Sequence, residues 1–313
     1  MAAFPAHFLG IDDLDAAQLT DLLDLADELA GRPRGAPDDD RPLAGRVVAL
    51  VFEKPSTRTR VSFQVAVAEL GGHPLPLSSA ELQLGRGETI ADTAAVLSRY
   101  VHAVVIRTFG QDRIEELAAN ATIPVVNALT DLEHPCQALA DLQTLRAARG
   151  GSLAGSVLTY VGDGNNVAHS LLLAGAMLGV EVRVAHPDGY APDAAIVARA
   201  AELAAGTGTE VVVTTDAVAA VTGAHAVYTD VWASMGQEDE AQDRLAVFQP
   251  YQVTADLLAH AAEDAIFLHC LPAHRGEEVT AEVIDGPTSR VFDQAENRLH
   301  AQKALLVRLL ADR

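Results

Sequence analysis

The chain has 313 residues, 49% of them hydrophobic and 21% charged, a globular composition that argues against intrinsic disorder and leaves room for two domains. With 22 Lys and Arg against 43 Asp and Glu, its formal charge of −21 repels nucleic acid and anionic membrane surfaces, so neither is expected as a partner. From the N-terminus, MAAFPAHFLGIDDLD has no basic stretch followed by an apolar run, and no signal peptide is expected. A helical pattern at 13–31 is followed by strand RVVAL (46–50), helix 57–70, strand AVVIR (103–107), helix 111–119, strand PVV (124–126) and helix 134–149. The glycine-rich break RAARGGSLAGS (146–156) restarts the series. Strand SVLTYV (156–161), helix 166–178, strand EVRVA (181–185) and helix 193–205 come next, then strands at 210–214, 226–230 and 265–270 and a terminal helix at 293–311.

Strands apolar throughout, separated by amphipathic helices, predict parallel sheets covered on both faces, an α/β protein. The break sets a domain boundary between 149 and 150, while the terminal helix suits either half equally. A ligand is expected beyond the carboxyl ends of the strands, in the cleft between the halves. The longest apolar stretch, LLLAGAMLGV (171–180), is too short to span a bilayer. Cys136 and Cys270 cannot make a disulfide framework, and no Cys/His spacing marks a structural zinc. A cytoplasmic protein with no metal and no cofactor is the expectation.

Lysine occurs only at Lys54 and Lys303, so an anion site must be built mainly from arginine. The most informative segment runs from a strand into Pro55-Ser56-Thr57-Arg58-Thr59-Arg60 and then into a helix carrying Val61, Val65, Val67 and Leu70. Ser56 or Thr57 suits the N-cap, which points free backbone N–H groups and the positive helix end at one place. Two arginines at a helix start oppose its dipole, so a simple cap leaves them unexplained. Hydroxyls and a planar guanidinium there suit a phosphate.

Arg107 ends a strand, as a cleft ligand or as a solvated strand end. In DLEHPCQALADLQTL (131–145), Pro135 suits a first helical turn and sets His134 and Gln137 at the helix start. His134 alone reads as readily as a capping or packing residue, and Cys136 reads as packing. The segment 159–185 is strand, glycine turn, helix, strand. Yet Val167 stands where a dinucleotide fingerprint needs its third glycine, and Ala185-His186-Pro187 where it needs an acid. A nicotinamide cofactor is therefore not expected, although the turn offers the amides Asn165 and Asn166.

Asp230 closes a strand before Trp232, Ser234, Met235 and Gly236, where a carboxylate suits an amino-group ligand or caps the next element. His269-Cys270-Leu271-Pro272 closes another. There Cys270 is a small buried hydrophobe or faces the ligand, and the bond before Pro272 can be cis. Asp293 is expected to cap the last helix, with Arg298 one turn inside.

Six segments, FEKPSTRTR (52–60), HPCQALADLQT (134–144), GDGNN (162–166), DVWASMG (230–236), HCLPAHRGEEV (269–279) and AENR (295–298), stand in an order that resembles the ornithine carbamoyltransferases over nearly the whole chain. The resemblance implies two doubly wound parallel-sheet domains flanking an active-site cleft. They would be a carbamoyl-phosphate domain at 1–149 and an ornithine domain at 150–292, with the terminal helix (293–313) packing back on the first. It implies a homotrimer or a multiple of trimers, and transfer of a carbamoyl group from carbamoyl phosphate to the side-chain amine of L-ornithine. The products would be L-citrulline and phosphate, a step of arginine biosynthesis and the urea cycle.

By residue, the resemblance implies that Ser56, Thr57, Arg58 and Thr59 form the carbamoyl-phosphate loop, completed by Arg107, His134, Gln137 and Arg298 and by Gln83 of a neighbouring subunit. Asn166, Asp230, Ser234 and Met235 resemble ornithine contacts, and Cys270 and Leu271 sit where the two substrates would meet. Arg107, His134 and Cys270 are the expected catalytic residues. Aspartate carbamoyltransferases share PSTRTR but use a lysine from the loop corresponding to 78–92, where this chain has Arg86 and no lysine. Acetylornithine and putrescine are closer rival acceptors. A nicotinamide-dependent dehydrogenase and a non-catalytic carbamoyl-phosphate binder lie further off.

Overall fold

The structure, a computed structural model, describes residues 3–32, 41–78, 87–233 and 241–311. Most of the apolar runs form strands buried on both faces, as continuous hydrophobic sequence must when helices flank it, whereas the run at 211–214 forms an edge strand that is only half-buried. In the first part of the chain β1 (Val47–Phe52), β2 (His73–Ser78), β3 (Ala103–Arg107) and β4 (Val125–Leu129) pair in the order β2-β1-β3-β4. They alternate with α1 (Ala16–Ala30), α2 (Thr57–Glu69), α3 (Ile90–Tyr100), α4 (Gln111–Asn120) and α5 (Pro135–Ala148). In the second part β5 (Val157–Val161), β6 (Glu181–Ala185), β7 (Val211–Thr214), β8 (Ala226–Thr229) and β9 (Ile266–His269) pair in the order β7-β6-β5-β8-β9. Their helices are α6 (Asn166–Met177), α7 (Ala194–Thr207), α8 (Ala217–Val221), α9 (Ala241–Phe248), α10 (Ala255–Leu258), α11 (Ala281–Ile284) and α12 (Val291–Leu310). Every strand pair is parallel.

Two compact units result, Met1–Ala140 with Glu296–Arg313, and Asp141–Ala295. The division falls inside α5, not at the glycine-rich turn after it. That helix continues unbroken, and Cys136, Leu139, Leu142 and Leu145 along it are fully buried. In the first unit Ala49, Val51, Val104, Ile106 and Val125 of the sheet pack with Leu97, Ile114 and Leu117 of the helices. In the second, Val161, Val227 and Phe267 pack with Val221, Val253, Val283 and Ile284. The last turns of α12 are fastened within the first unit, where Arg308 donates to both carboxylate oxygens of Asp21 at 2.7 and 2.8 Å and Lys303 pairs with Glu69.

Three departures from expectation have physical causes. β2 reads HPLPLS, and its prolines remove two ladder donors. In a parallel strand alternate N–H groups face opposite neighbours. His73 N–H points inward, bonding the Arg46 carbonyl at 2.8 Å, so Pro74 and Pro76 face the open side of an edge strand. α3 was not expected, yet Thr89 caps it by accepting from Asp92 N–H. Asp293 does not cap α12 but lies in its first turn, since that helix starts at Val291.

Both sheets reverse strand order beside their first strand, between β1 and β3 and between β5 and β8. At such a switch point the loops leave in opposite directions and open a crevice at the strand ends. No helix among the described residues is long and apolar enough to cross a membrane.

Candidate active site

The first switch point places Phe52, the end of β1, opposite Arg107, the end of β3. Glu53 N–H donates to the Arg107 carbonyl at 2.9 Å, and the Glu53 carboxylate takes Arg113 at 2.7 Å and the Thr108 hydroxyl. Lys54 pairs with Asp131 and lies 4.4 Å over the Phe109 ring. These ties fix the run-up to the helix. Ser56 is its N-cap, extended at φ −161° and ψ 114°, with Oγ accepting from Thr59 N–H at 3.2 Å. Thr57, the first helical residue, is exposed, and Arg58 is half-buried.

Three elements meet beyond this cap. Arg298 of α12, buried, donates through Nη2 to Thr59 Oγ1 of α2 at 2.5 Å and through Nη1 to Gln137 Oε1 of α5. His134 immediately precedes α5, and its pKa lies well below 6.5, first because burial disfavours its charge and then because Arg298, Arg107 and Arg58 repel it. The ring is therefore neutral at neutral pH, with one N–H donor and one acceptor. The structure thus gathers Thr59, Gln137, Arg298, Arg107, Arg58 and His134 around one cationic spot. Cys136 is packing, as expected. Its thiol donates to the Asn127 carbonyl at 3.3 Å, and burial pushes its pKa up to about 12.

The second switch point has its own constellation. β5 runs into Gly162-Asp163-Gly164-Asn165 and then α6, whose N-cap is Asn165. Its Oδ1 accepts from Val167 and Ala168 N–H at 2.9 and 3.3 Å and from the Tyr160 hydroxyl at 3.3 Å. Burial, then the Asp230 charge, raises the Tyr160 pKa, so Tyr160 remains a donor. Gly164 has no room for a side chain, because a Cβ would stand 2.1 Å from Pro192 N and 2.4 Å from the Ala191 carbonyl carbon.

Asn165 Nδ2 also donates to Asp230 Oδ2 at 3.0 Å, across the switch point. The buried Asp230 carboxylate accepts the Cys270 thiol at 2.9 Å and Val231 N–H at 2.8 Å on Oδ1. After Cys270 the chain turns sharply, with Leu271 at φ +58° and a cis Leu271–Pro272 bond. Leu271 N–H donates to His269 Nδ1 at 2.8 Å, which leaves the ring proton on Nε2 to meet Glu278 Oε1 at 3.2 Å. Gln294 completes the support, accepting from His269 N–H at 2.9 Å and donating to Asp141 at 2.6 Å.

Asp230, His269 and Cys270 hold ligand-type atoms within 4.8 Å of one another, and so do His274, Glu277 and Glu278. In the first group the thiol and both ring nitrogens are already engaged as described. Of the residues expected here, Asp230 and Cys270 are joined, Leu271 forms the turn, and Asn166 opens α6. Gln83, Ser234 and Met235 lie outside the described residues. Nothing in the sequence signalled a role for His269, Glu278 or Gln294, and of the two amides the turn offers, Asn165 makes the bond to Asp230 while Asn166 opens α6. The cap pattern of GDGNN, an amide two residues before a helical N–H, was the signal for Asn165.

The carbamoyl-phosphate-binding domain model of the aspartate/ornithine carbamoyltransferases matches residues 6–147, and the Asp/Orn-binding domain model matches 154–309. The chain is 62% identical over 304 residues to an ornithine carbamoyltransferase of Parafrankia sp. (strain EAN1pec), covering 97% of this chain and 96% of that one. It resembles the structure of ornithine carbamoyltransferase from Pyrococcus furiosus with a TM-score of 0.92 at 51% identity, covering 99% of each. The Gloeobacter violaceus enzyme structure gives 0.88 at 53% identity, over 99% of this chain and all of that one. The chain belongs to the aspartate/ornithine carbamoyltransferase family.

Proposed function

We propose that the chain transfers the carbamoyl group of carbamoyl phosphate to the side-chain amine of L-ornithine, giving L-citrulline and phosphate. The observation that carries the reading is the meeting of Thr59, Gln137 and Arg298 beside a neutral His134, with Arg58 and Arg107 adding charge. Such a site neutralises a phosphate dianion without trapping it by a single rigid pair. Carbamoyl phosphate brings its own leaving group, so no covalent enzyme intermediate is required. Arg107, the Thr59 hydroxyl and the neutral His134 N–H polarise the carbonyl oxygen, and the cationic spot takes up the charge that develops on departing phosphate.

The unit containing residues 1–140 would hold carbamoyl phosphate, and the unit 141–295 ornithine. Asp230, with Asn165 and Asn166 beside it, suits the amino-acid end. The names of the relatives support ornithine as acceptor. Cys270, hydrogen-bonded to Asp230, and the Leu271 carbonyl would keep the attacking amine uncharged by burial and hydrogen bonding. The amine attacks the carbonyl carbon, the C–O bond to phosphate breaks, and the released phosphate takes the amine proton. We further infer a homotrimer or a multiple of trimers acting in the cytoplasm, in arginine metabolism.

The test is product formation from carbamoyl phosphate with ornithine, acetylornithine, putrescine and aspartate in parallel. Strong preference for ornithine is expected. Preference for another acceptor would overturn the assignment of the second half-site, and carbamoyl-phosphate binding without transfer to any would overturn the enzymatic reading.

A further inference from the structure

Arg244 of α9 is only 4% exposed, and a buried guanidinium is costly unless its donors are met. Its Nη2 donates to Asp163 Oδ2, and its Nε donates to the Trp232 carbonyl at 2.5 Å. Its flat face lies over two rings, 4.8 Å from the centre of Tyr190 and 5.1 Å from that of Phe248. Those rings meet edge-on at 4.7 Å, and Phe248 also lies against Trp232 at 6.0 Å. An arginine fits here as lysine would not, because only a planar fork can serve two acceptors while stacking.

Both acceptors stand two residues from a partner in the bond that spans the second switch point. Asp163 precedes Asn165 in the glycine turn, and Trp232 follows Asp230 at the end of β8. Asn165 N–H returns to the Asp163 carbonyl at 2.7 Å. A closed ring follows, from Asp230 through Trp232, Arg244, Asp163 and Asn165 back to Asp230. Arg244 thereby ties the segments on both sides of the Asn165–Asp230 bond to one side chain.

We propose that Arg244, with Asp163, is a positioning residue of the amino-acid half-site, fixing the spacing between the turn that carries Asn165 and the strand end that carries Asp230. The proposal rests on the reading of this half-site as the ornithine site. Arg244 touches no reacting atom. Its effect is to keep Asp230 and its amide partner preorganised for the ligand, which is where a loosened ring is felt.

The experiment measures steady-state citrulline formation, varying each substrate, for the wild type and for Arg244→Gln, Arg244→Lys, Asp163→Asn and the double variant Asp163→Asn with Arg244→Gln. The expected result for Arg244→Gln is a rise of at least about tenfold in the KM for ornithine with the KM for carbamoyl phosphate within about twofold. Arg244→Lys keeps the charge but not the fork and should recover only part of the loss. The double variant should be no worse than the more severe single, because both changes break one bond.

An unchanged KM for ornithine would overturn the proposal, as would equal shifts for both substrates or full additivity. If Arg244→Gln fails to fold, Asp163→Asn and Arg244→Lys, which preserve volume, decide by the same criterion. If the wild type itself does not use ornithine, the functional reading falls rather than the ring.

Discussion

At the scale of single residues, His134 shows how a site built from arginines sets the state of its one titratable partner. Burial and then the charges of Arg298, Arg107 and Arg58 depress its pKa in the folded chain. Below about pH 6.5 the unfolded chain binds a proton that the folded chain refuses, so stability is unaffected well above that value and falls as pH drops through it. The slope from one such group is at most about 1.4 kcal/mol per pH unit. Denaturant titrations at pH 7.5 and 5.5 should therefore show a larger acid loss for the wild type than for His134→Gln. Equal losses would mean that His134 takes up its proton in the folded state as readily as in the unfolded one. A neutral ring also matters chemically, because it donates a hydrogen bond to a carbonyl without competing with the arginines for phosphate.

At the scale of elements, two glycines of the second unit make opposite predictions from one criterion, the room for a Cβ. Gly164 sits against the backbone of Ala191 and Pro192, so Gly164→Ala must push the turn before α6 away from its neighbour. The expected cost is about 2–4 kcal/mol, with weakened ornithine affinity, since Asn165 moves with the turn. Gly206 lies within α7 with nothing inside 4 Å, and Gly206→Ala should stabilise by about 0.5–1 kcal/mol with activity unchanged. Thermal unfolding and ornithine KM for the two variants check both halves, and similar behaviour of the pair would refute the argument.

The same elements show what was legible in the sequence. Strands β1, β3 and β5 were readable because both faces are buried and the run is continuously apolar. β2 was not, since its prolines are tolerated only by its place at an edge, which no local pattern announces. The phosphate loop was legible because Ser56 and the arginines act through their immediate neighbours. Arg244 and Asp163 lie 81 residues apart, and His269 meets Glu278 only after a turn through Leu271. Partnerships of that kind exist only once the chain is folded, so their residues carried no local sign.

At the scale of the whole molecule, a formal charge of −21 and an apolar surface act against each other. Tyr100 and Phe292 are 73% and 72% exposed in the single chain, and Val61 and Val96 are about half exposed, apolar side chains that an interface between chains could cover. Association would cover such surface, while like charge opposes it. The inferred trimer should therefore be sensitive to ionic strength, because the Debye length is about 30 Å at 0.01 M and about 8 Å at 0.15 M. Light scattering at 0.15 M salt is expected to give three times the chain mass of 32.9 kDa or a multiple of that, with dissociation on dilution favoured at 0.01 M. Activity should follow the assembled fraction if Gln83 completes a neighbour's site, as the resemblance implies. A fully active monomer would show that each chain holds a whole site and would remove Gln83 from it. A trimer whose activity survives salt changes but vanishes on dissociation would place the dependence on the interface itself.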